Sequence, residues 1–348
     1  MEYLDNPHRG TGLPIAERPI ARSDAVARLL DLCPKHEETP MREVPDLATA
    51  CGVSRLHLKD ESGRMGLGSF KALGAAFVIA REAAEVANGA EIGPDTLTGR
   101  TYVAASAGNH GLSVAAGAGV FGARAVIYLS ETVPEAFAQR LRAKGAEVVR
   151  EGASYAESMA AAQDRAQAEG WSLLSDSSWE GYLLPPTGVM EGYLQLAQEA
   201  VEQLDDPPTH ILLQAGVGGL AAAVARHFRM AWGDDPVIVV VEPDRAPALI
   251  ESIRAGELVT TEGQASAMGR LDCKTPSLIA LGGLAQDADL FVTITEKEAQ
   301  KAVSALAEAG LPTTPSGAAG VAALLAGLRG CGPEARVLAI VSEGPEGD

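Results

Sequence analysis

From Leu56 onward, short apolar runs alternate with longer stretches whose apolar positions fall on one helical face. Leu56–Glu61 alternates apolar and polar residues at its start, as a half-buried strand does. Tyr102–Ala105, Ala125–Leu129, Val148–Val149, Ser172–Leu174, Ile211–Leu213, Val237–Val241 and Val337–Val341 read as further strands. Helical patterns lie between them, over Lys71–Ala84, His110–Val120, Tyr155–Ala168, Val189–Leu204, Leu220–Trp232, Lys297–Ala309 and Gly317–Leu328. Pro134 suits the first position of one more helix, since its missing N–H has no partner there anyway. Strands alternating with helices of about 10–15 residues imply parallel sheets covered on both faces. The polar stretch Ala87–Arg100 and the proline-rich Pro185–Thr187 and Asp205–Pro208 interrupt the pattern. The first 50 residues carry little periodicity and predict no element.

At 348 residues the chain is long enough for two domains. Its 47% hydrophobic content is ample for a buried core, and with only 4% aromatic residues that core must be Ala, Val, Leu and Ile. The net charge of −18 disfavours nucleic acid and anionic membrane as partners. Cys33, Cys51, Cys273 and Cys331 are scattered without a CxxC pair, which fits reduced thiols in a cytoplasm, not a disulfide framework or a metal site. No basic-then-apolar leader opens the sequence, and no apolar run reaches membrane-spanning length.

Three segments carry chemistry. In QAGVGGLAAAV (Gln214–Val224) a strand runs into Gly216, Gly218 and Gly219 and then a helix. Backbone N–H groups in such a turn, with the helix dipole behind them, can hold one small anion. The spacing is neither a dinucleotide fingerprint nor a GK[ST] loop, and a plain strand-to-helix turn would look the same. SAGNHG (Ser106–Gly111) puts the Asn109 amide at the carboxyl end of a strand, where open α/β sheets bind ligands. The alternative is that Asn109 caps the next helix. His110 receives no role. In GLGSFKALG (Gly66–Gly74), Lys71 stands in apolar company, where desolvation lowers an ammonium pKa and favours a Schiff base with an aldehyde. A lone lysine is otherwise most often a solvated one.

Taken in order, the lysine after a short strand, S-A-G-N-H and the G-x-G-G turn resemble the fold type II family of pyridoxal-phosphate enzymes. The resemblance covers roughly residues 55–344. It implies a tryptophan synthase β-like fold: two domains, each an open, mostly parallel twisted sheet with helices on both faces. Residues 1–70 plus 190–348 would form the large cofactor-binding domain and 71–189 the small one. It implies pyridoxal 5'-phosphate as cofactor, with Lys71 as the Schiff-base lysine and Asn109 on its 3-hydroxyl. Gly216, Val217, Gly218, Gly219 and Leu220 would cradle its phosphate, and Ser342 would lie against the pyridine nitrogen. A hydroxyl at that nitrogen stores less carbanion charge than a carboxylate would and favours elimination over transamination. Ser106, Ala107, Gly108 and Asn109 would receive the substrate carboxylate. The family is commonly homodimeric.

Within the family, KDESGRMGLGSFKALGA (Lys59–Ala75), SDSSWEGY (Ser175–Tyr182), MEGY (Met190–Tyr193), LDCKTPS (Leu271–Ser277), TTPSGAAG (Thr313–Gly320) and VSEG (Val341–Gly344) look most like the diaminopropionate ammonia-lyases. Lys274 stands where those enzymes carry glycine. Asp176 would then be an acid/base or amine-recognising group, although a solvated or turn-capping aspartate would fit the local sequence too. Ala107 stands where those lyases carry an aspartate associated with the D-isomer. The expected activity is therefore β-elimination from a small L-amino acid, with 2,3-diaminopropionate as the suggested substrate and an oxo acid and ammonia as products. A serine/threonine dehydratase is the alternative, and a non-catalytic ligand-binding protein on the same fold a third reading.

Overall fold

The computed structural model describes residues 1–22 and 24–345. Among them the strands are β1 (Tyr3–Asp5), β2 (Met41–Glu43), β3 (Arg55–Asp60), β4 (Thr101–Ala105), β5 (Arg124–Leu129), β6 (Glu147–Arg150), β7 (Ser172–Leu173), β8 (His210–Gln214), β9 (Val237–Pro243), β10 (Leu290–Ile294) and β11 (Arg336–Val341). They form two sheets. The larger runs β1-β10-β9-β8-β11-β3-β2 and the smaller β6-β5-β4-β7. The small sheet is parallel throughout. The large one is parallel except at its edges, where β1 and β2 pair antiparallel. Helices cover both faces, which is why β4 and β10 are buried along their whole length and read as continuous apolar runs.

Those edge strands and the Pro45–Cys51 helix occupy the stretch that predicted nothing. A three-residue strand shows too few alternations to register as one. The sequence pattern also leaves β10 unmarked. The apolar Leu278–Asp287 helix precedes it closely, so LFVTI lacks a turn signal to set it apart. Pro134 sits one residue earlier than expected, as the cap of the Glu135–Ala143 helix. The single helix expected over Val189–Leu204 is two, Leu184–Gly192 and Leu194–Gln203, hinged at Tyr193. The break has a packing cause. A Cβ on Gly192 would lie 2.6 Å from the Leu73 carbonyl, and one on Gly74 would lie 2.7 Å from Val189. The Lys71–Ala87 helix therefore crosses this hinge backbone to backbone, which fixes the end that carries Lys71.

The chain leading to Lys71 is anchored beneath by a buried ion cluster. Lys59 Nζ meets Glu199 at 2.7 Å, and Arg64 meets Glu61 at 2.7 Å and Glu199 at 2.6 Å. All four side chains are buried. Burial pushes the Glu199 carboxyl up, but Arg64 and Lys59 outweigh it and hold the group at about 2. The charges cancel in pairs, which is the condition for burying them at all. The cluster ties β3 and the turn after it to the Leu194–Gln203 helix.

Candidate active site

The carboxyl ends of β8, β11, β4 and β7 open onto one cavity of about 1450 Å³. Lys71, Asn109, Asp176, Gly216–Leu220 and Ser342 all line it, as does the Ser106–Gly108 loop. Segments more than 200 residues apart in the chain are thus brought together where parallel strands end.

Lys71 is the first residue of its helix. The turn before it is bonded to the chain just past β11. Phe70 N donates to Ser342 O at 3.2 Å, and Gly344 N to Gly68 O at 3.0 Å. Lys71 and Ser342 therefore face the cavity in fixed relation. The Lys71 ammonium is ion-paired with Asp176. Burial alone would lower the lysine pKa, as its apolar neighbours suggested. The adjacent carboxylate outweighs that and raises it, so the expected depression is not found. Asp176 is held well below the usual carboxylate range. Burial opposes ionisation, but Lys71 chiefly, and His110, outweigh it.

Asp176 is placed by a tight hairpin. Trp179 and Tyr182 exchange backbone hydrogen bonds and stack at 4.4 Å. The Tyr182 hydroxyl accepts from Ser175 N at 3.0 Å and donates to Leu173 O at 2.8 Å. His110, given no role from sequence, bonds Leu174 O at 2.8 Å and so ties this strand end to the Asn109–Val120 helix. Burial is the largest influence on its pKa and lowers it, against the opposing pull of Asp176.

Asn109 begins that helix but makes no cap bond. Its amide instead donates to the carboxylate of Glu343, a buried residue that pattern reasoning passed over as part of VSEG. Arg270, just before the Leu271–Ser277 loop, likewise bears no local sequence signal of a role. Its guanidinium lies about where a Gly108 Cβ would touch it, 3.6 Å away, and 3.6 Å from Glu343. A sequence carries no signal for such convergence, because the partners lie on separate loops. Cys273 lines the cavity as a neutral thiol, pushed up to about 11 by burial.

The glycine turn fits a phosphate. Gly218 has φ +94°, open to glycine and strained for other residues. A Cβ on Gly216 would lie 3.0 Å from both Arg270 O and Cys273 Sγ. Both positions are closed to a side chain, Gly216 by the neighbouring loop and Gly218 by its backbone and by Ala280, Leu249 and Leu284. Among the described residues, no backbone or side-chain acceptor takes the N–H groups of Gly218, Gly219 or Leu220, which open a 14-residue helix. That leaves an anion cradle with a helix dipole behind it. No group of three or more potential metal ligands occurs among the described residues.

A cavity at the strand ends, a lysine on its wall and an anion cradle opposite are the parts of a site for a phosphorylated aldehyde cofactor. Residues 32–343 match the family model for pyridoxal-phosphate dependent enzymes, and the chain belongs to that family. It is 33% identical to the diaminopropionate ammonia-lyase of Salmonella typhimurium over 317 residues, covering 84% of this chain and 78% of that protein. It is 29% identical to a serine dehydratase-like protein of Rattus norvegicus over 299 residues, covering 85% and 84%. The Escherichia coli diaminopropionate ammonia-lyase, solved with an aminoacrylate–pyridoxal phosphate reaction intermediate, superposes with a TM-score of 0.84 at 30% identity. That match covers 99% of this chain and 93% of the other. The α/β fold with two mostly parallel sheets is the one expected of fold type II.

Proposed function

We propose that this pyridoxal-phosphate-dependent ammonia-lyase acts on a small L-amino acid, with L-2,3-diaminopropionate as its substrate, and releases an oxo acid and ammonia. The observation that carries the reading is Asp176, a carboxylate on the cavity wall already paired with an ammonium. When Lys71 takes up the cofactor, that pairing is vacated for a second ammonium. A β-amino group supplies one, and a hydroxyl does not.

The cofactor, when bound, supplies an electron sink for the carbanion formed at Cα. Lys71 would hold it covalently and, as a free amine, would take the proton from the substrate Cα. The Ser106–Asn109 loop, at a helix N-terminus, receives the substrate carboxylate. Asn109 would serve the cofactor's 3-oxygen, Gly216–Leu220 its phosphate and Ser342 its ring nitrogen. Asp176 orients the departing β-ammonium.

One observation favours the dehydratase as a second reading: the cavity wall has Ala107, not a second carboxylate, at the Asn109 loop. The two separate sheets support dividing the chain into 1–70 plus 190–348 and 71–189. Four free cysteines support a cytoplasmic setting, and the family resemblance supports a homodimer as the working form. No helix among the described residues is long and apolar enough to cross a membrane.

The test is oxo-acid release from L- and D-diaminopropionate, L-serine, L-threonine and 3-hydroxyaspartate. The proposal expects the L-diamine to have the highest kcat/KM and the D-isomer to be poor. Preference for L-serine or L-threonine would replace it with the dehydratase.

A further inference from the structure

Three loops meet on one buried carboxylate, that of Glu343, and a fourth pairs with its backbone. Its Oε1 accepts from the Thr314 hydroxyl and its Oε2 from the Asn109 amide, and Arg270 Nε lies 3.6 Å from Oε2. The Thr313 hydroxyl donates to its backbone carbonyl, and Ser69 bridges it from the turn before Lys71. Glu343 is 4% exposed. Burying a carboxylate is costly unless donors replace its water, and here the surrounding loops supply them. Pattern and charge give no reason for an acid at the end of a buried strand.

We propose that Glu343 is the positioning residue for Asn109, fixing the rotation of its amide toward the cofactor. The inference rests on the reading of Asn109 as a cofactor contact. The terminal torsion of an asparagine is soft, and its two ends differ only in being donor or acceptor. A carboxylate has only acceptors to offer. It therefore turns Nδ2 toward itself and decides which face of the amide meets the cavity. Asn109 follows β4 of the small sheet, whereas Glu343 follows β11 of the large one. The contact also sets the two sheets in register across the cavity. Glu343 need not touch the cofactor. It acts through Asn109.

The experiment is a titration of the apo-protein with pyridoxal phosphate, read by absorbance and by the circular dichroism of the bound cofactor. The variants are Glu343→Ala, Glu343→Gln, Asn109→Ala and the double Ala variant. Loss of an oriented hydrogen bond predicts about tenfold weaker binding and an altered dichroism for Glu343→Ala and Asn109→Ala alike. The double variant should be no worse than Asn109→Ala, because the effect passes through that residue. Glu343→Gln should recover to within about threefold of wild type, since its Oε1 can face Asn109 while its Nε2 donates to Thr314. Additive losses in the double variant would overturn the proposal. So would wild-type binding and dichroism in Glu343→Ala, or a Glu343→Gln as impaired as Glu343→Ala. An Asn109→Ala protein that binds normally removes the premise instead, and is told apart by that single variant. If Glu343→Ala does not fold, Thr314→Val loosens the other end of the carboxylate and takes its place in the cycle. Its smaller expected loss, about threefold, must again vanish in the Asn109→Ala background.

Discussion

Ser178 and Ser277 share a hydroxyl–hydroxyl hydrogen bond of 2.7 Å, and through it the loop of Asp176 is bound to the phosphate turn. Ser277 Oγ also accepts from Ser178 N at 3.0 Å, and Ser277 N donates to Val217 O at 2.9 Å. Ser178 Oγ in turn accepts from Ile279 N at 3.0 Å. The substrate side and the cofactor side of the cavity are therefore one hydrogen-bonded unit.

Ser277→Ala should weaken that unit. It leaves the Ser178 N–H without its acceptor in a fully buried place and removes the hydroxyl–hydroxyl bond, at a cost of about 1–3 kcal/mol. The effect on the reaction should exceed what stability alone predicts, because Asp176 loosens with its loop. Denaturant unfolding gives the first quantity, and kcat/KM on the folded variant the second. A variant that loses stability but keeps full activity would show that the link holds the fold together without placing Asp176.

Gly218→Asp should cost both stability and cofactor affinity. The substitution strains a residue at φ +94° and crowds Ala280 and Leu249, where its Cβ would lie 3.1 Å from each. Its carboxylate would enter the apolar packing of Ala280, Leu249 and Leu284 without a partner, and relieving that displaces the turn whose N–H groups form the cradle. Titration of the apo-protein with pyridoxal phosphate should show affinity at least about tenfold lower, a difference of roughly 1.4 kcal/mol. Unchanged affinity would place the phosphate elsewhere.

The glycine turn was legible in the sequence because backbone chemistry is local. Gly216, Gly218 and Gly219 follow a strand and precede a helix in the same dozen residues. Lys71 and Asn109 were legible for the same reason, each within a short motif at a strand end. The Asn109–Glu343 and Lys71–Asp176 pairs were not, since their members are 234 and 105 residues apart and nothing local in either segment names the other. The lysine pKa went the wrong way on the same account. Its neighbours in sequence are apolar, but its neighbour in space is a carboxylate. The buried cluster of Lys59, Glu61, Arg64 and Glu199 was likewise hidden, because charged residues in a sequence read as solvated.

That cluster predicts an acid limit for the apo-protein. The Glu199 carboxyl falls from its usual 4.5 to about 2 on folding, so the unfolded chain binds its proton first as pH drops. A depressed carboxyl contributes stability that is present above its unfolded pKa and lost as pH falls through its folded one. The window is therefore about pH 4.5 down to 2, and the amount on the order of 3 kcal/mol. Glu199→Gln should remove this group's share of the acid slope. At neutral pH it should also destabilise by about 3–5 kcal/mol, since Lys59 and Arg64 then face Glu61 alone. Denaturation midpoints measured across that range decide it, and an acid slope unchanged in the variant would assign the acid sensitivity to other groups.

Asp176→Asn separates the diamine lyase from the dehydratase. The substitution keeps the shape of the side chain and its place in the Trp179–Tyr182 hairpin, and removes only the charge. A charge-assisted hydrogen bond to a substrate ammonium is worth roughly 1.5–3 kcal/mol, or about one to two decades in kcat/KM. A further factor of about 100 or more is lost if Asp176 also moves a proton. A neutral hydroxyl leaving group draws less on that charge, so activity toward L-serine should fall by a smaller factor. The variant also frees Lys71 from its carboxylate partner, and with burial then opposed only by Tyr193 and Cys273 the lysine pKa should drop. That should ease capture of the cofactor's aldehyde while turnover of the diamine fails, an opposite response of binding and catalysis that a misfolded site would not give. The measurements are kcat/KM for L-diaminopropionate and L-serine and the pH dependence of cofactor binding, in both proteins. Equal losses on the two substrates would remove amine recognition from Asp176 and put the dehydratase first.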